Sequence, residues 1–98
     1  MIHIAYNPDR GRLRLSGHAG SAPLGEDLVC AAVSALCATL AENLRVYDPK
    51  ARVVMESGYA RISSRDPDLR PLFDIIYRGL RQLARQYPDY IHTRREFL

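Results

Sequence analysis

From residue 27 to about residue 44 the chain is almost wholly apolar and mostly small: DLVCAAVSALCATLAENL. This pattern predicts a helix with little polar face, approached closely by its neighbours and buried on more than one side. A chain of 98 residues has room for one such helix at the centre of one core. Residues 1–98 are therefore read as a single domain.

The flanking segments supply a sheet and a second helix. Residues 2–6 carry an apolar bias with alternation, and residues 12–16 alternate cleanly with Leu13 and Leu15 on one face. Asn7-Pro8-Asp9-Arg10-Gly11 between them is a turn, so the two make a hairpin. Residues 17–26 are a loop with three glycines and one proline, long for a strand-to-helix connection. Asp48-Pro49 ends the first helix. Arg52–Glu56 and Tyr59–Ser63 are two short strands around the tight turn Ser57-Gly58. Asp66-Pro67-Asp68 opens the second helix, with Asp68 as its cap and Pro71 in its first turn. Leu69, Leu72, Phe73, Ile76, Leu80, Leu83, Ala84 and Tyr87 recur there at helical spacing, with Arg78, Arg81 and Arg85 on the other side. Pro88 stops it, and residues 90–93 form a last short strand. The expected fold is an α+β sandwich in the order ββαββα(β), two hairpins forming one sheet with both helices packed on it.

Charge excludes little. Fourteen Lys and Arg face 11 Asp and Glu, a formal net charge of +3, and all but Lys50 are arginine. That excess does not by itself establish direct RNA binding. The two cysteines, Cys30 and Cys37, lie seven residues apart in one helix, roughly 10 Å along its axis, so they do not pair. The N-terminal residues lack the apolar core of a signal peptide, and no apolar run is read as a membrane span. The chain is read as a cytoplasmic protein with free thiols.

Cys30 carries the candidate chemistry. A lone cysteine in an apolar helix is ordinarily a small core residue, and Cys37 fits that description well. Cys30 differs in position. With Gly25 or Asp27 as the cap it stands at the start of the helix. The unpaired amides of the first turn would there favour a thiolate and hold the oxyanion of an attacked amide. His18, on the glycine-flanked loop 12 residues upstream, is a base able to take the thiol proton and return it to the leaving amine. Asp27 is either the helix cap or the carboxylate that orients His18. Ser34, one turn beyond Cys30, either bonds the thiol or its own helix. No phosphate-binding glycine pattern is present, and the His, Cys, Asp and Glu spacing does not suggest a metal site.

Gly17-His18-Ala19, followed by Gly25-Glu26-Asp27-Leu28-Val29-Cys30-Ala31-Ala32-Val33-Ser34, resembles the signature of the ribosomal-processing cysteine proteases, the Prp family. That signature is a GHA element, a short loop, then G-x-D-[IL]-V-C-A-[AG]-V-S. The likeness continues to Tyr87-Pro88-Asp89-Tyr90-Ile91. The resemblance implies a cysteine endopeptidase that removes an N-terminal extension from the precursor of ribosomal protein L27. It implies His18 and Cys30 as the catalytic pair, with Asp27 and Ser34 in support. It also implies a homodimer and a loop that orders on the substrate, with Ala22 and Leu24 as cleft walls among Gly17, Ala19 and Gly25. No cofactor or metal is implied. Pro23 departs from the freer loops of the family. The alternatives are a non-catalytic ribosome- or RNA-associated binding protein and a small thiol hydrolase with another substrate. Rapid, selective alkylation of Cys30 separates an enzyme from the first of these.

Overall fold

The computed structural model describes residues 1–17 and 24–97, and the side chains of 24–27 lie outside the description. Its elements are β1 (Ile2–Asn7), β2 (Arg12–Ser16), α1 (Leu24–Tyr47), β3 (Arg52–Glu56), β4 (Tyr59–Ser63), α2 (Arg70–Gln86) and β5 (Ile91–Arg95). A single 3-10 turn, Pro67–Leu69, precedes α2. The five strands form one sheet in the order β3-β4-β2-β1-β5. The two hairpins join through the antiparallel pair β2–β4, in which Leu13 faces Ile62. β5 closes the other edge by pairing parallel to β1, with Ile2 opposite Ile91. The expected α+β order is the observed one, and the last strand runs two residues further than residues 90–93.

Alternation decides which face is covered. Ile2, Ile4 and Tyr6 of β1, Leu13 of β2 and Ile62 of β4 point to one side and are buried. Both helices pack on that side. α1 contributes Val29, Val33, Cys37, Leu40, Ala41 and Leu44, and α2 contributes Phe73, Ile76, Tyr77 and Leu80. Tyr6 ties α2 to the sheet. Its ring stacks on Phe73 at 6.1 Å and meets Tyr77 at 4.9 Å. Its hydroxyl donates to Asp74 Oδ1 at 2.6 Å. Burial first, and that hydrogen bond second, push the Tyr6 phenol upward.

Several expectations need correction. α1 starts at Leu24 and ends at Tyr47, a turn longer at each end than residues 27–44, so Leu24 and Gly25 belong to the helix rather than the loop. It is also covered on one side only: Leu28 is 65% exposed, and Ala31, Ala35 and Ala38 face outward. Small size, not burial, accounts for the alanines on that outer face. Within α1, Leu28–Tyr47 has a mean hydropathy of 1.4, long and apolar enough by length and composition to cross a membrane. In this fold the segment supplies the stripe that packs on the sheet. Finally, the cap before α2 is Asp66, not Asp68. The Asp66 backbone is extended and its side chain accepts the Asp68 amide at 2.9 Å. The extra 3-10 turn moves the cap two residues back.

Candidate active site

The helices leave one end of the inner sheet face uncovered. Leu15 of β2 and Met55 of β3 point inward by register, opposite Ala60 of β4. Yet Leu15 is only half-buried and Met55 is 43% exposed. The gap is a hollow of ≈ 220 Å³ between α1 and the β3–β4 hairpin. Ile2, Leu15, Met55 and Tyr59 form its apolar walls, and Glu56 and Ser57 add polar atoms at the hairpin turn. On the helix side it is lined by Cys30 and Ser34, one turn apart on one face, with Val33 and Cys37 beneath.

The two thiols differ as their places dictate. Cys30 is half-buried with access to the hollow. Cys37 is 1% exposed, and desolvation pushes its thiol up to about 11. An exposed thiol releases its proton near 9.0, so above that pH ionisation favours the unfolded chain. The stabilisation is whole below pH ~9 and is lost as pH rises through ~11, to a total of about 2–3 kcal/mol. Tyr6 adds to the loss in the same direction. Denaturant titrations from pH 8 to 11 therefore show stability falling, and Cys37→Ala makes that fall shallower. Equal slopes for both proteins refute the assignment to Cys37.

Gly17 enters the hollow from the opposite wall and sets the path of the chain toward His18. Its φ is +102°, and its amide donates to the Gly58 carbonyl at 3.0 Å. A Cβ at this position would collide with the Met1 carbonyl oxygen. Gly17→Ala thus meets both a left-handed backbone penalty of about 1–2 kcal/mol and a clash with main chain. It also shifts the segment that carries the candidate base. The expected result is a fall in kcat/KM of roughly 10–100-fold at a temperature where the variant is fully folded. An unchanged kcat/KM shows that the position of Gly17 does not govern catalysis.

The structure thus brings together Cys30, Ser34 and Gly17. His18, Ala19 and Ala22 lie outside the described residues, as do the side chains of Leu24 and Asp27. One expectation about Cys30 changes. With α1 beginning at Leu24, Cys30 stands in the second turn, about 9 Å along the axis from the helix start. Asp27 lies within the helix and is not its cap. The free amides belong to the first turn and do not reach a carbonyl under attack at Cys30. The hairpin wall went unread in the sequence, although Met55 carried a signal: an inward register position beyond the reach of either helix.

Comparisons with known proteins bear on the fold and the family. A comparison with curated proteins found no match. SMU.848 from Streptococcus mutans has the same fold, with a TM-score of 0.81 and 27% identity over 99% of this chain and 93% of that one. An essential ribosomal processing protease Prp from S. aureus, in complex with a substrate peptide, superposes with a TM-score of 0.80 at 19% identity, over 98% of this chain and all of that one. The S. aureus protease with a covalently linked product peptide gives a TM-score of 0.78 at 20% identity over the same shares. At those two identities the likeness is one of fold. The sequence evidence is more specific, since residues 1–92 match the model of a family described as cysteine protease Prp. By that match over nearly its whole length, this chain belongs to the cysteine protease Prp family.

Proposed function

We propose that this cysteine protease is a ribosomal-processing endopeptidase that removes an N-terminal extension from the precursor of ribosomal protein L27. One observation carries the reading: of two cysteines on one helix, Cys30 opens onto an apolar-walled hollow and Cys37 is sealed in the core. Cys30 is the nucleophile and His18 the base. His18 takes the thiol proton, and the thiolate attacks the peptide carbonyl. His18 then returns the proton to the leaving amine, and water activated by His18 releases the acyl group. The chemistry uses the thiol, the imidazole and water. Ile2, Leu15, Met55 and Tyr59 receive apolar side chains of the extension, and Glu56 offers a carboxylate to a basic substrate. The S. aureus relative, a ribosomal processing protease seen with a substrate peptide, supports the substrate class.

A free thiol nucleophile suits the reducing cytoplasm, where we place the protein. A second copy seated on the outer face of α1 would cover Leu28, Ala31, Ala35 and Ala38, consistent with a homodimer.

The test is incubation with precursor L27 from the same organism, followed by mass spectrometry of its N-terminus. One discrete cut is expected. An authentic precursor left intact by well-folded protein refutes L27 as substrate and leaves the family's peptidase chemistry in place.

A further inference from the structure

The sheet face turned away from both helices is rich in arginine. Register places Arg12 and Arg14 of β2, Arg52 of β3, Arg61 of β4 and Arg94 of β5 on it. The acidic groups among them are Glu56 and Glu96. Five arginines against two glutamates leave an excess equal to the formal net charge of the entire chain, +3. The protein's unbalanced charge is therefore gathered on one side of one sheet. Glu96 engages only two of the five, accepting from Arg14 at 2.6 Å and from Arg94 at 2.9 Å. Arg12, Arg52 and Arg61 make no ion pair among the described residues.

Rings lie among these cations. His3 and His92 are register partners with centroids 5.9 Å apart, and Tyr59 is 38% exposed at the next corner. With Arg14, Ser16 and Arg94 they bound a shallow hollow of ≈ 540 Å³.

We propose that this open sheet face binds single-stranded RNA. Guanidinium groups spaced across the strands meet successive phosphates bidentately. Tyr59, the two imidazoles and the guanidinium planes offer surfaces on which unpaired bases stack. An acidic polypeptide matches the charge but makes no use of the rings. A second copy of the chain would bring five arginines against five. The face lies on the opposite side of the sheet from Cys30, so RNA and peptide occupy separate surfaces that border one another at Leu15, Glu56 and Tyr59. The proposal does not depend on the identity of the peptidase substrate.

Fluorescence anisotropy of the full chain with labelled oligouridylate and oligoadenylate of about 12 nucleotides, read against KCl, tests it. Three to five phosphate contacts predict a slope of log K on log salt of about −2 to −3.5. Arg52→Gln combined with Arg61→Gln should make the slope shallower by about 1.4 and weaken binding roughly tenfold near ~50 mM KCl. Circular dichroism and peptidase activity should stay unchanged. His92→Ala should weaken binding about fivefold or more without altering the slope. Neutralising Arg78, Arg81 and Arg85 together on α2 should have no effect. Three results overturn the proposal: no binding near ~50 mM KCl, loss in the α2 variant rather than the sheet variant, or polyglutamate of equal length competing better than RNA. Self-association abolished by the sheet variant, with RNA binding unaffected, assigns the face to a second copy instead.

Discussion

Cys30→Ala removes peptide cleavage, with kcat/KM falling about 10⁴-fold or more, and Cys37→Ala leaves kcat/KM within a few-fold of wild type. The contrast is the informative part, because the substitutions delete the same atom from the same helix two turns apart. Cys30 borders the hollow and removing its sulfur costs little packing. Cys37 is enclosed by the core, and its thiol is held protonated to about pH 11, so it offers no thiolate near neutrality. Iodoacetamide near pH 7.5 should accordingly label the folded protein once, at Cys30, and label both residues after denaturation. His18→Ala should lose cleavage on a similar scale while retaining fold, since proton transfer by the base supplies at least a factor of about 10²–10⁴. Cleavage by a well-folded Cys30→Ala protein would end the Cys-His mechanism for this chain.

Phe73→Ala lowers stability by about 3–5 kcal/mol, the largest effect expected of any single truncation in the core. Phe73 is 1% exposed and stacks on Tyr6, whose hydroxyl holds Asp74 on the same helix. Truncation leaves a cavity at the point where α2 is anchored to β1, and the second anchor, the Tyr6–Asp74 hydrogen bond, rests on the same contact. For a domain of this size about 4–8 °C of melting temperature accompanies each kcal/mol, so a fall of roughly 15–30 °C is expected. Urea unfolding measures it, with Phe73→Leu as the volume-retaining comparison that should lose much less. A loss below about 1 kcal/mol for the alanine variant would show that α2 is held elsewhere.

Short-range signals made most of this architecture legible. Alternation at Leu13 and Leu15, the Ser57-Gly58 turn and the apolar stripe from Leu69 through Leu80 each reflect one period of one element. Four strands and two helices follow from them. The parallel partnership of β1 and β5 was not legible, because it joins Ile2 to Ile91 and no local pattern encodes such a register. The expectation that α1 is buried on more than one side failed for a related reason. Alanine suits a helix surface as well as an interior, so composition does not tell the two apart. At the site, the sequence pointed to Cys30 and to Gly17, both of which line the hollow. The other wall depends on where the helices stop covering the sheet, and Met55 and Tyr59 take their place in the cleft from that three-dimensional gap.

The β1–β5 pairing also orders events during synthesis. β1 emerges first and can pair with β2 at once, yet its other edge has no strand to meet until residues 91–95 have left the ribosomal tunnel. Until then the IHIAY segment offers open backbone donors and acceptors beside its buried-to-be isoleucines, the sort of edge at which chains stick to one another. The Ile2 amide, which finally donates to the Tyr90 carbonyl at 2.8 Å, is among the last to be satisfied. Ile2 is also a wall of the hollow beside Cys30, so a nascent chain has its thiol long before it has a cleft. Vectorial synthesis thereby delays the proteolytic cleft until translation of the sheet is complete.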